Sequence, residues 1–571
     1  MKSFQLVSGW GTAAGLVLSL ACAPAAPAPP AAPVPAVPQS GAPAPVVEQK
    51  EKPQYGGVFQ FYGNDAPANL DPFNDTFIFS QTFLGTLYEN LVNYDSDKPG
   101  FDWRNDLDVR PWLAEKWEQK DPTTYVFTLK DAKFHDGKPV TVDDVVWSYE
   151  YLRDPKNNKG YRGSLKFLDK VTKIDNKTVQ LTTKSVAAYF LSDLATRGTV
   201  IAPKHIFDAG GQDALNSTGI GSGPFKLKKF DPKGKSELVR FESYWFKDEF
   251  GQQMPYLDGF HITHNMDQAA VQAAIAARKI DIYQALDRPS AEALRQRLPD
   301  LQMDPFITDN SIVLFINQTR KPWDDVRVRR AAHLAIDRNE ILQTLYFGEG
   351  RFVVPAPSTS TKLGWGFSQE DLQKLPGWRK EKAADVADAK KLLAEAGYPN
   401  GFKGRLIYPR TYSSAPQAEV APNYLKTVGI EMELAGLDQP TVNKEAKDLN
   451  YDLWLAVTAN AALIPYTQAY YTADAPNSGG WKNPQFDDLT KKLGETLDKN
   501  EQKKIVRQMQ EIWLQELPAL TLLDNAIYKV QQPWVRNWRT QFGNQPTVYY
   551  GGPYLWFVQD KLPDFRKSEK P

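Results

Sequence analysis

Apolar and polar positions alternate from Thr124 to Lys130, with Tyr125, Phe127 and Leu129 on one side. That period of two predicts a half-buried strand. His135-Asp136-Gly137 follows as a turn, and Pro139 cannot continue a ladder. Thr141-Val142-Asp143-Asp144 has the spacing of a capping box, which predicts a helix running to about Arg153 and ending before Pro155. Residues 177–183 read as a further strand. Asp267 opens an Ala-rich helix from Gln268 to Arg278. Asp325 opens another, with Val328, Ala331, Ala332, Ala335 and Ile336 on one stripe and Arg327, Arg329 and Arg330 on a solvated face. A third helix spans Asp385 to Ala396 and is stopped by Gly397 at the C′ position. Residues 484–516 carry a fourth helical region. Helices and strands are interspersed, as in an α/β protein, and no internal repeat is visible.

The N-terminal region has a different pattern. Lys2, the apolar run Leu16 to Leu20 and the small residue Ala21 have the layout of a secretory signal. The run falls short of the roughly 20 residues that span a bilayer. Cys22, the only cysteine, follows directly. Such a cysteine resembles the lipidated residue of a bacterial lipobox, although Ser19 stands where a lipobox typically has Leu. The alternative is an ordinary signal peptide with an incidental cysteine. Residues 23–52 are rich in Pro and Ala and read as a semi-rigid polyproline II spacer.

Composition narrows the function. With one cysteine, neither an internal disulfide nor a cysteine-based metal site can form. Lys plus Arg equals Asp plus Glu, 68 each, so the basic footprint that nucleic acid requires is missing. The 15 Trp and 25 Tyr exceed what a core needs and suit a cleft that grips organic ligands by flat apolar faces.

Several segments resemble the extracellular solute-binding proteins of family 5, the peptide/nickel type that serves ABC importers. They are Pro111 to Trp117 with Tyr125–Lys130 and Lys133–Val145; Gly221 to Leu227 with Tyr244-Trp245; Phe315-Ile316-Asn317 leading into Asp325–Ala331 and Ala335–Arg338; and Ala389–Tyr398. Tyr55-Gly56-Gly57, Asn69–Pro72 and Tyr88–Leu91 agree as well. The resemblance runs in order over about residues 53–560. It implies an α/β, two-lobed, periplasmic-binding-protein-like clamp (type II, cluster C) with an extra subdomain inserted in lobe I. The expected division is a signal peptide over 1–21, lipidated Cys22 and tether over 22–52, lobe I over 53–305 with the insertion at about 73–220, lobe II over 306–523 entered and left through two hinge strands, and a C-terminal return to lobe I over 524–571. The implied protein is exported, held on the membrane by lipid facing the periplasm or cell exterior, and monomeric. It closes on a solute and docks on permease subunits.

In peptide-binding members an aspartate in a "W..D..DP" segment pairs with the peptide's free amine. Here Tyr451–Pro465 puts Ala461 at that position and Ile464 before the proline. A buried ammonium without a counter-charge is costly, which discounts ordinary peptides; the expected solute is an oligopeptide or a similarly sized organic molecule, with an oligosaccharide as the alternative. The ligand candidates are Trp454, Thr458, Asn460 and Tyr466 in this segment, with Asn69, Phe73, Tyr88 and Asn317 from their places in the family pattern. Trp112, Trp117 and Trp245 are assigned to the cores of the lobes. No cofactor, metal site or catalytic residue is expected: His135-Asp136 belongs to a turn, and His261 and His264, three apart on a strand, face opposite sides. The competing classes are an exported glycoside-processing enzyme, which needs paired carboxylates, and a surface scaffold without a small ligand.

Overall fold

Strand Val58–Gly63 buries Phe59 and Phe61 and pairs in parallel with Gly259–His264. That strand pairs antiparallel with Lys235–Arg240, which pairs with Phe225–Lys229. Our computed structural model describes residues 51–571 except 64–65, 75–77, 96–107, 265, 355–364, 411–414, 460–478, 539, 542–544 and 547–551. The leader, Cys22, the Pro/Ala run, Asn460, Ala461, Ile464 and Tyr466 lie outside the described residues. Pro53–Pro571 forms one unit and Met1–Lys52 another.

Between Gly63 and Phe225 the chain leaves this first sheet and builds a second, antiparallel one in the order Ala114–Asp121, Thr124–Leu129, Thr178–Thr183, Leu168–Lys173. The alternating run is the strand its pattern predicts, with Tyr125, Phe127 and Leu129 buried. Helix Val142–Arg153 starts at the expected box: the Thr141 N–H donates to Asp144 Oδ2 (2.8 Å) and Thr141 Oγ1 accepts from Asp144 N–H (3.3 Å). His135 ties its turn to the glycine loop. Nδ1 accepts from the Gly221 N–H at 3.2 Å, so Nε2 donates to the Gly223 carbonyl at 3.0 Å. Burial pushes this imidazole down to about 4, which keeps it neutral.

The carboxylate of Glu89 sits in the middle of lobe I. It accepts from Trp112 Nε1 (2.9 Å), Tyr244 Oη (2.7 Å) and Trp245 Nε1 (3.2 Å). Desolvation outweighs these bonds and pushes its pKa up to about 7. A second buried carboxylate, Asp281, receives both guanidinium nitrogens of Arg566 (2.7 and 3.0 Å), the Trp534 indole N–H (2.7 Å) and the Gln60 amide N–H (2.6 Å). Asp281 and Arg566 are both almost fully buried, so this group fastens the C-terminal segment to the first strand.

The larger sheet runs Ile282–Leu286, Ala519–Gln531, Gln302–Ile316, Leu453–Ala459, Phe402–Pro409, Ile430–Leu437, with Gly350–Arg351 beside Ala519–Gln531. Strand alternation divides its apolar residues. Ile312, Leu314 and Ile316 face a core with helix Val326–Ala335, helix Lys382–Glu395 and helix Ala415–Lys426. Val313 and Phe315 face a core with helix Pro484–Glu495 and helix Lys499–Glu516.

Residues 484–516 are helical as expected, in two helices broken at 496–498. Two sequence expectations need correction here. Asp385 is not a helix opener but a buried acceptor inside the helix, taking bonds from Gly377 N–H (2.9 Å), Arg379 Nε (2.8 Å) and Lys382 Nζ (3.1 Å). Arg329 is not on a solvated face. It is 4% exposed and donates to the carbonyls of Trp323, Asp324 and Glu516, the last being an orphan acceptor at a helix C-terminus.

Two strands are common to both halves of the large sheet. Gln302–Ile316 and Ala519–Gln531 pair from Gln302↔Gln531 to Phe315↔Ala519, with a register shift between Ile307 and Ser311 and another between Ile312 and Val313. At the first shift Asp524 accepts from Ser311 Oγ (2.7 Å) and Arg351 Nε (2.9 Å), all three buried. Nearby, Tyr528 Oη donates to Glu349 (2.6 Å), and burial with that carboxylate pushes the phenol up to about 12.

Asp524→Asn takes the carboxylate from a buried Arg351 and is expected to cost about 3 kcal/mol or more in urea unfolding; a loss below about 1 kcal/mol would show the pair to be dispensable. For Glu89 the folded value, about 7, lies above the ordinary 4.5. Stability from this group is therefore full below about pH 4.5 and is lost as pH rises through 7, by roughly 3 kcal/mol in all. Glu89→Gln does not titrate, so its stability relative to the parent should improve by roughly that amount from about pH 4 to about pH 8. A difference that stays flat with pH would mean that Glu89 is ionised throughout.

Candidate functional site

In open α/β sheets, ligands bind beyond the carboxyl ends of parallel strands, where connections diverge. Here Phe402–Pro409 runs parallel to both Ile430–Leu437 and Leu453–Ala459. The carboxyl ends of these strands are Pro409, Leu437 and Ala459. Ala459 is paired with Asn310, inside the register shift, and the next rung, Ser311, is bonded to Asp524. One edge of the lobe II sheet therefore holds the ends of three parallel strands, the register shift of the long strand pair and the Ser311–Asp524–Arg351 group. The segments that leave this edge, from Arg410 and from Ala459, lead into 411–414 and 460–478.

The predicted contacts fall into three sets. Thr458 is on this edge, one residue before Ala459, with its backbone paired to Ser311; Asn460 and Tyr466 follow it outside the described residues. Trp454 is on the same strand but roughly 17 Å of strand length below the edge. Its ring stacks on Phe315 (5.2 Å between centroids, 28°) and meets the edge of Tyr451. One ring face is thus occupied within the lobe.

The third set is built into the scaffold. Phe73 is fully buried against Tyr151 and Trp147. Tyr88 Oη, also buried, donates to the Leu70 carbonyl (3.1 Å). Asn317 donates to the Leu449 and Tyr451 carbonyls (2.8 and 3.0 Å) and accepts from Thr319 Oγ1 (2.6 Å). The side-chain polar atoms of Tyr88 and Asn317 are used in holding a turn and strand ends. Asn69 is half-buried, and its Oδ1 accepts from the Asp71 N–H (3.0 Å).

Ser311, Arg351 and Asp524 were not singled out from the sequence. One signal was available: Asp524 interrupts the apolar run Leu520 to Ile527, and an acid in a buried strand needs a partner. Arg351 carries no such mark. A separate cavity of about 560 Å³, lined by His333, Phe367, Trp378, Leu392 and Leu514, opens among the flanking helices of lobe II and includes none of the shared-strand residues. Among the described residues no group of His, Cys, Asp and Glu is placed to hold a metal ion, and no helix is long and apolar enough to cross a membrane.

Comparison with known proteins agrees with this architecture. Residues 108–480 match the family described as bacterial extracellular solute-binding proteins, family 5, middle. The dipeptide-binding protein of Escherichia coli is 26% identical over 456 residues, covering 74% of this chain and 82% of that protein. Heme-binding protein A of Haemophilus influenzae is 27% identical over 503 residues, covering 81% and 86%. Among solved structures, the binding protein AgaA of A. tumefaciens R10 in complex with agropinic acid superposes with a TM-score of 0.71 at 25% identity, over 88% of this chain and 99% of that one. The Helicobacter pylori binding protein DppA with a bound peptide gives 0.72 at 21% identity, over 88% and 98%, a likeness of fold. The fold is the two-lobed α/β clamp of the periplasmic peptide-binding proteins, and the chain belongs to the bacterial extracellular solute-binding proteins of family 5.

Proposed function

We propose that this solute receptor captures an oligopeptide or a similarly sized organic solute between its lobes and hands it to the permease of an ABC importer. The observation that carries the reading is the pair of strands shared by the two halves, with a buried polar group at their register shift. It is the mechanical element a clamp needs, and it lies beside the sheet edge where α/β proteins bind ligands. Relatives named for dipeptides and heme, and a structural neighbour holding agropinic acid, support a reading in which the ligand is a small organic solute. Family and fold are those of binding proteins, and the reading includes no catalysis.

Cys22 would carry the lipid and residues 23–52 the spacing from the membrane, with the folded part acting as a monomer outside the cytoplasm. Ligand contacts are assigned to Thr458, Asn460 and Tyr466, with Asn69 opposite. Ala461 would free recognition from the ligand's amine, because no carboxylate stands at that position to pair with it.

The test is thermal unfolding with tri- to pentapeptides, the same peptides N-acetylated, small organic acids, and oligosaccharides. A ligand at about 100 times its Kd adds about 2.7 kcal/mol of stability. Acetylated and free peptides are expected to shift the transition equally, and Ala461→Asp is expected to favour free-amine peptides by about ten-fold or more. Binding of free peptides that is lost on acetylation would overturn the role given to Ala461. A response to oligosaccharides alone would overturn the peptide reading.

A further inference from the structure

Two consecutive aromatic residues of the inserted subdomain enter different cores. Phe190 is buried in lobe I with its ring 5.1 Å from that of Tyr125. Tyr189 packs instead against the lobe II core that contains Val313, Phe315 and Trp513. Its hydroxyl is buried and has no hydrogen-bond partner, so the phenol is held by its ring. The residue before it, Ala188, donates its N–H to the Gly494 carbonyl at 2.8 Å. Gly494 lies in the last turn of helix Pro484–Glu495, where carbonyls have no partner within the helix. At the first residue past the break that follows, Lys499 Nζ pairs with Asp108 of lobe I at 2.8 Å. The hydrogen bond and the ion pair do not involve the shared strands, whereas the ring packs on a core to which Val313 and Phe315 of one shared strand contribute.

We propose that this corner is the catch of the clamp: Tyr189 and Ala188 of the inserted subdomain grip the end of helix Pro484–Glu495 and hold the lobes together once the hinge has closed. The geometry supports this. Closure must bring a surface of lobe I onto a surface of lobe II away from the hinge, and these groups cross between the two bodies. The ring supplies apolar burial. The amide bond supplies register, since it forms only when the helix end arrives in place. The ion pair is exposed at both ends (63% and 41%) and contributes little. The catch rests on the clamp reading but is independent of the solute, because all its atoms belong to the chain.

The experiment uses the protein alone. Spin labels on Lys170→Cys and Lys447→Cys, with Cys22→Ser, report the distance between the inserted subdomain and lobe II by pulsed electron resonance. Tyr189→Ala is expected to raise the ratio of open to closed forms roughly ten-fold, while Tyr189→Phe, which keeps the ring, retains the parent distribution. Ala188→Pro, which removes the donor N–H and keeps both rings, is expected to shift it the same way as Tyr189→Ala, and it decides the matter should Tyr189→Ala not fold. Unchanged distances in Ala188→Pro and Tyr189→Ala, or opening by Tyr189→Phe equal to that by Tyr189→Ala, would overturn the proposal. No solute is needed, so such a failure leaves the transport reading intact, and a failed ligand screen leaves the catch intact.

Discussion

The architecture depends on two strands that must do opposite things. Gln302–Ile316 and Ala519–Gln531 are paired over nearly their whole length, which makes them the continuous connection between the halves of the large sheet. A perfectly regular ladder would transmit any rotation as a rigid rod. The register shift between Ile307 and Ser311 removes the regular pairing at one place, and a break in a ladder is where a strand bends most cheaply. Backbone groups released there need other partners, and the neighbourhood is accordingly polar. Asp524, Ser311 and Arg351 form a buried charged group there. Its cost in desolvation is the cost of having a bend at that position.

The parts of the fold legible in the sequence were those set by local rules. The alternation at Tyr125, Phe127 and Leu129, the Thr141–Asp144 box and the glycine at 397 (φ +92°) depend on residues within a few positions of one another. What escaped was set by tertiary partners. Arg329 sits in a helix among other arginines and looks solvated by composition. It is buried because the C-terminus of a helix some 185 residues later needs donors. Asp385 looked like a cap for a similar reason, yet its acceptors serve Gly377 and Arg379 from the preceding turn. The candidate site divides in the same way. Phe73, Tyr88 and Asn317 are marked by a family pattern, but a pattern does not distinguish residues kept for ligand from residues kept for the scaffold. Each of these has its polar atoms or ring spent on neighbours.

Glu89 shows what much of that pattern encodes. Tyr88-Glu89, Pro111-Trp112 and Tyr244-Trp245 are far apart in sequence, and they meet at one carboxylate in lobe I. A buried acid can be held only by donors placed around it. Indole N–H groups do this well, since each brings one donor together with a large apolar body that excludes water. The tryptophans assigned to the cores at 112 and 245 are therefore polar partners as well as packing, and they make the first and second pieces of the family resemblance a single object in space. Lys130 lies over the Trp245 ring at 4.0 Å, which adds a cation on the far face of the same cage.

A clamp of this kind has a thermodynamic condition to meet. The lobes must part readily enough to admit solute, yet the closed form must persist long enough to be delivered, and solute can shift the balance only by its own preference for the closed form. If the chain supplied no contact across the mouth, the ligand would have to supply all of the closing energy, and only tightly bound ligands would be carried. If the chain supplied too much, the empty form would stay shut. One half-buried ring with an unsatisfied hydroxyl, one amide bond to a helix end and one exposed ion pair are a modest set of contacts for such a task. The hydrogen bond and the ion pair lie away from the shared strands, and they act on closure without touching the ligand edge. The ligand edge then sets what is bound, while the balance between open and closed is kept by another part of the chain.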